Sequence, residues 1–299
     1  MRQIGLMGRI GVWAVLVLGA AAVRGAPPAP PANVEFLSDV TYATVDGEEL
    51  KLNLSRPRDA KGPLPCVVVI HGGGWKAGNR NQHNDMTWKF TDRGYVSVTV
   101  SYRFAPKFPF PAQVQDVKAA VRFLRANAEK YGIDPQHLGA VGFSAGAHLS
   151  MMLGAMDKAD GLDDSGGNDD QPSKVQAVVS FFGPTDLTAP YPEVTRPILK
   201  DLLGGTVEEK LDLAKRASPI TYVNAGDAPM LLFQGTKDPL VPHDQALRMA
   251  NALTNAGVPG RVELILGGSH GWAGGELGRT ADATFAFFDQ YLKGKAAGK

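Results

Sequence analysis

Three residues with the chemistry of a nucleophilic relay stand out, each set among small residues: Ser144 in Gly142-Phe143-Ser144-Ala145-Gly146, Asp238 in Gly235-Thr236-Lys237-Asp238-Pro239, and His270 in Gly267-Gly268-Ser269-His270-Gly271. A serine hydroxyl is a weak nucleophile near neutral pH. It attacks a carbonyl only when an adjacent base takes its proton and a third group holds that base in the right tautomer. Ser144 as nucleophile, His270 as base and Asp238 as its orienting carboxylate fill these roles in the order Ser, Asp, His along the chain. A second cluster, His71-Gly72-Gly73-Gly74-Trp75, supplies consecutive glycines whose backbone N–H groups can approach a developing oxyanion. Gly73 and Gly74, with Ala145 just after the nucleophile, are the expected donors. The implied chemistry is acyl transfer.

Such residues must be carried on loops that end strands. Near-continuous apolar runs at residues 66–70, 95–102, 138–143, 175–182, 230–234 and 262–266 read as buried parallel strands. Residues 40–45 and 49–54 alternate around Asp46-Gly47 as an opening hairpin. Helical spacing at 113–128, and further helices at 149–156, 243–255 and 280–292, alternate with these strands. The fold class is therefore α/β, an open, mostly parallel sheet with helices on both faces and ligands beyond the carboxyl ends of the strands. Ser144, Asp238 and His270 each follow an expected strand, and the glycine loop follows 66–70.

His71 to Trp75, Ser101 to Pro106, Phe108 to Ala112 and Gly142 to His148 together resemble the α/β-hydrolase lipases and esterases with an HGGG-type oxyanion loop, and especially the acetyl-xylan and feruloyl esterase (BD-FAE-like) branch. The resemblance runs from about residue 40 to the C-terminus. It implies a serine esterase that removes acetyl or feruloyl groups from plant polysaccharide. Many relatives carry Glu after the Ala-Pro pair; here the residue is Lys107, which is given no catalytic role. Rival readings are an arylformamidase-like amidase, a small peptidase of the same fold, and a binding protein that kept the fold without turnover.

The other histidines are read structurally: His71 as a brace of the glycine loop, His148 and His243 as helix-start partners, His83 and His137 as lone residues. Six scattered histidines lack the close spacing of a zinc site, and no metal or cofactor is expected. The Asp-rich stretch 157–174 reads as a solvated loop; calcium is conceivable at Asp160, Asp163, Asp164, Asp169 and Asp170, but without EF-hand spacing. Trp75, Trp88, Phe108, Phe110 and Trp272 are candidates for an apolar pocket, with Trp75 and Trp272, beside the catalytic motifs, preferred as substrate-binding residues. Cys66 sits in an apolar run and reads as core.

The 299 residues, 44% of them apolar, suffice for one large core, and a formal charge of +1 argues against nucleic acid or an anionic membrane as partner. The expected partner is a small-molecule or polysaccharide ester. Arg2 and Arg9 before the short apolar run 10–23 read as a signal peptide cleaved after Gly25, with a cut after Ala22 or an uncleaved N-terminal anchor as the alternatives. The expected organisation is a signal peptide over 1–25, a flexible Pro-rich tether over 26–39 and one catalytic domain over 40–295. The mature chain would carry no membrane span and would be secreted or periplasmic.

Overall fold

The computed structural model describes residues 29–163 and 165–294. The expected signal peptide lies outside the described residues. Eight strands, β1 (Val34–Val45), β2 (Glu48–Pro57), β3 (Leu64–Ile70), β4 (Val96–Val100), β5 (Ile133–Phe143), β6 (Ala177–Phe181), β7 (Met230–Gly235) and β8 (Gly260–Ile265), form one sheet in the order β1-β2-β4-β3-β5-β6-β7-β8. The β1–β2 and β2–β4 pairs are antiparallel; β4 through β8 are parallel. The helices are α1 (Asn84–Thr91), α2 (Ala112–Ala126), α3 (Ala128–Tyr131), α4 (Ala145–Ala155), α5 (Arg196–Leu203), α6 (Leu211–Arg216), α7 (Asp244–Asn255) and α8 (Gly275–Leu292).

All six apolar runs contain strands; the first five are covered on both faces, whereas β8 is the sheet edge, with Leu264 exposed and Ile265 buried. One cluster joins Val68, Ile70, Val98 and Ala140 to α2 and α4, and the other joins Val67, Val69, Val141 and Val179 to Phe285 and Phe288 of α8. Alternate residues of the same strands point into the two clusters, as the two-residue period of a strand requires. The lone Cys66 lies wholly inside the first cluster, and burial pushes its thiol up to about 12, where it stays neutral.

The structure corrects the expected boundary of the tether. Residues 34–39 belong to β1: Val34 is buried, and Val34 through Leu37 pair with Leu54 through Pro57. A register shift between Leu37 and Val40, with Asp39 at φ 59°, breaks the alternation that would have revealed the strand.

The Asp-rich loop is not simply solvated. Lys118 and Arg122, both buried on α2, form ion pairs with Asp163 and bond the carbonyls of Gly161 and Gly167. Asp163, one of the conceivable calcium ligands, is thus committed to two cations of the chain. Removing it would leave the buried Lys118 ammonium without its carboxylate and Arg122 with only Asp169, 3.8 Å away, a loss of about 3–5 kcal/mol. Asp164 lies outside the described residues.

Candidate active site

Ser144 stands at the sharp turn between β5 and α4 with φ 54° and ψ −117°, a conformation that costs a non-glycine residue about 1–3 kcal/mol and is held by its surroundings. Its N–H bonds the Phe181 carbonyl at 2.9 Å, and its carbonyl accepts the His148 N–H. The flanking glycines make the turn possible: a Cβ at Gly142 would lie 2.1 Å from the Gly146 carbonyl oxygen, and one at Gly146 would lie 2.1 Å from that of Ile70. Ser144 is thereby presented at the N-terminus of α4, where unpaired N–H groups favour negative charge.

The loops after β7 and β8 are laced together. Thr236 N–H bonds the Ile265 carbonyl, Lys237 N–H the Gly268 carbonyl at 2.8 Å, and Gly267 N–H the Thr236 hydroxyl. This brings Asp238 and His270 together with Ser144: His270 Nδ1 lies 2.8 Å from Asp238 Oδ2, and His270 Nε2 lies 2.9 Å from Ser144 Oγ. With Nδ1 facing a carboxylate, the proton belongs on Nδ1 and the Nε2 lone pair faces the hydroxyl. Asp238 has a fully buried side chain, whereas that of His270 is 19% exposed. Burial alone would push the Asp238 carboxyl up. The hydrogen bond from His270 and the N–H groups of Val241 and Leu240 outweigh it and hold the carboxyl below its ordinary range. The Phe182 ring, 4.6 Å from that of His270, covers the imidazole; nothing in the sequence distinguished it from other aromatics.

The glycine loop lies against the nucleophile turn. A Cβ at Gly72 would be 2.8 Å from the Phe143 carbonyl oxygen and 3.4 Å from Ser144 Cβ. The Gly73 carbonyl accepts the N–H groups of Lys76 and Ala77, while the N–H groups of Gly73 and Gly74 find no acceptor among the described residues. Ala145, the first residue of α4, likewise has an N–H with no partner within the helix. His71 braces this loop: it is buried, its Nδ1 is 2.7 Å from the Gly72 carbonyl oxygen, and it stacks on Tyr102, whose hydroxyl bonds the carbonyls of His71 and Gly72. Burial holds its pKa down at about 4, unsuited to a base that must bind a proton near neutrality.

Trp75 does not line a substrate pocket, contrary to the sequence expectation. It is 2% exposed, in the main core, and its indole N–H donates to His148 Nδ1 at 3.2 Å. His148 Nε2 in turn donates to the Ala217 carbonyl at 2.6 Å, so both polar groups of this buried pair are satisfied. The loop turns inward at Trp75, where φ is 58°, and an indole N–H that enters a core needs an acceptor. Trp88 and Phe110 are also core residues. Trp272 is different: with Phe143, Phe181, Phe182 and Phe285 it lines an apolar cavity of about 320 Å³ next to His270, its N–H bonded to Thr280. His83, read as a lone residue, stacks on Phe143 at 4.3 Å and borders this cavity. A larger cleft of about 730 Å³ lies across the glycine loop, bordered by His71, Arg80, Phe104 and Phe108; none of Ser144, Asp238 and His270 borders either cavity, and the smaller one reaches Gly271.

Comparison with known proteins finds esterases among the similar chains. The BD-FAE family matches residues 52–253. The chain is 32% identical over 225 residues to esterase LipQ of Mycobacterium tuberculosis, covering 74% of this chain and 53% of LipQ, so it spans about half the length of that relative. It is 31% identical over 252 residues to ethyl acetate hydrolase of Pseudomonas putida, covering 79% of this chain and 75% of that enzyme. A truncated carbohydrate esterase from gut microbiota superposes with a TM-score of 0.76 at 28% identity, covering 89% of this chain and 100% of the other.

Proposed function

The chain belongs to the BD-FAE family of α/β-hydrolases, and on that premise we propose that it is a serine carboxylic-ester hydrolase. The observation that carries the reading is the line Ser144 Oγ, His270 Nε2, His270 Nδ1, Asp238 Oδ2, with both contacts below 3 Å. Ser144 Oγ attacks the ester carbonyl as His270 Nε2 takes its proton. The oxyanion is held by the N–H groups of Gly73, Gly74 and Ala145, each such donor contributing about 3 kcal/mol to the transition state. The imidazolium, stabilised by Asp238, then returns the proton to the departing alcohol. Water repeats the sequence to release the acid.

The substrate reading is acetyl or feruloyl ester on plant polysaccharide. The likeness to a carbohydrate esterase supports it, as does the aromatic cavity at Trp272, whose faces suit a planar phenolic group. Export through the N-terminal segment would give the enzyme access to such polymers, and the mature protein should then begin at Ala26 when sequenced from the N-terminus. The purified protein should release acetate from acetylated xylan or ferulate from methyl ferulate. Release of neither would refute the substrate class, and failure on 4-nitrophenyl acetate as well would refute the esterase reading.

A further inference from the structure

Gln234 lies in the last turn of the pleat of β7, after Met230, Leu231, Leu232 and Phe233, and its side chain is completely buried. Its Nε2 is 3.0 Å from Asp238 Oδ2 and 3.0 Å from the Val241 carbonyl oxygen. Two acceptors converging on one group settle the orientation of the amide: the nitrogen faces them both. The Gln234 Oε1 on the other side is buried with no partner among the described residues. An apolar residue would suit this strand and avoid that unpaired oxygen, so the amide is retained at a cost for the donor it provides.

The four acceptor directions of Asp238 are consequently all taken. Oδ1 receives the N–H groups of Leu240 at 2.8 Å and Val241 at 3.0 Å, and Oδ2 receives His270 Nδ1 and Gln234 Nε2. We infer that Gln234 is a positioning residue of the proposed esterase, fixing the plane of the Asp238 carboxylate and through it the tautomer and tilt of His270. The inference rests on the esterase reading for its kinetic consequences, though not for its geometry. Without Gln234, His270 is the sole donor to Oδ2 and the carboxylate is free to swing. The charge that Gln234 had partly drawn off is then turned wholly on the imidazole, which holds its proton more tightly. Gln234 borders none of the cavities beside the site, so substrate binding should not change.

The test is Gln234→Met, which keeps the length and removes the donor. kcat and KM for 4-nitrophenyl acetate are measured from pH 5 to 9, with the downfield proton resonance of His270 Nδ1 followed by NMR. The methionine variant should lose about tenfold to hundredfold in kcat, keep KM within about twofold, and lose activity at higher pH than the wild type on acidification. In the wild type, one slowly exchanging glutamine side-chain amide should shift as His270 protonates, a readout that requires no variant to fold. Unchanged kcat, acid limb and Nδ1 resonance in Gln234→Met, with only the melting temperature lowered, would reduce Gln234 to a structural residue and overturn the inference, as would the absence of that amide signal. If the wild type hydrolyses no ester, the functional reading fails while the NMR readout still decides the role of Gln234.

Discussion

Replacing Asp238 with asparagine should abolish nearly all turnover while leaving the fold intact. The reason lies in the donors that surround the carboxylate. An asparagine must place its NH₂ either at Oδ1, against the backbone N–H groups of Leu240 and Val241, or at Oδ2, against His270 and Gln234. The backbone donors cannot move, so the NH₂ goes to the Oδ2 side, where the imidazole accommodates it by moving its proton from Nδ1 to Nε2. His270 then offers Ser144 an N–H where it needs a lone pair, at the same 2.9 Å separation. The corresponding change in a serine protease triad lowers kcat by about 10⁴, which is about 5.5 kcal/mol in the barrier. The assay is kcat and KM for 4-nitrophenyl acetate at pH 8, with circular dichroism to check folding. A folded variant that retains more than a tenth of wild-type kcat would refute the assignment of Asp238 as the orienting carboxylate.

Other consequences are independent of that one. Burial holds the His148 and His71 imidazoles at about 4, against 6.5 for a free histidine, so the unfolded chain binds more protons between those values and stability falls as pH drops from 6.5 towards 4. The loss is about 3 kcal/mol per imidazole. In urea denaturation at several pH values, His148→Gln, which can still accept from Trp75 and donate to Ala217, should reduce the slope by about 1.4 kcal/mol per pH unit; an unaltered slope would show that His148 does not carry the effect. Gly146→Ala sets a methyl against the Ile70 carbonyl, backbone that cannot yield, and should cost about 3 kcal/mol or more, read as a lowered urea midpoint. Ile198 of α5 lies beside Gly74, close enough that a Cβ there would be 2.9 Å from Ile198 Cγ2, and α5 is held in place by the Lys76–Asp201 ion pair and the Phe110 N–H to Leu202 bond. Ile198→Ala, which opens space beside Gly74, should therefore raise kcat/KM for the butyrate ester relative to the acetate by about tenfold, and an unchanged ratio would show that Ile198 does not limit the acyl group.

The strands and the three relay residues were legible in the sequence because both depend on local pattern. A doubly covered parallel strand must be apolar throughout, and the residues that do chemistry sit in small-residue turns immediately after it. Trp75 shows what that logic lacks. Its neighbours in sequence place it at the site, but its direction is set by a left-handed backbone and by an acceptor, His148, that is 73 residues away. Gln234 carried a faint signal, a polar residue ending an apolar run, whose meaning appears only when Asp238 folds back onto it. Helices α5 and α6 went unread because they are short, eight and six residues, and neither fills the window over which a helical period is read. The loop at 157–174 looked solvated because its anchors, Lys118 and Arg122, lie on another element and appear in sequence only as ordinary helix charges.

The most direct test of the esterase reading is hydrolysis of 4-nitrophenyl acetate by the wild type and by Ser144→Ala, the two matched for folding. Turnover by the wild type and a loss of at least about 10⁴-fold in the variant is the predicted result. Equal rates in the two proteins would mean that Ser144 is not the nucleophile, and the relay through His270 and Asp238 would then have no catalytic purpose.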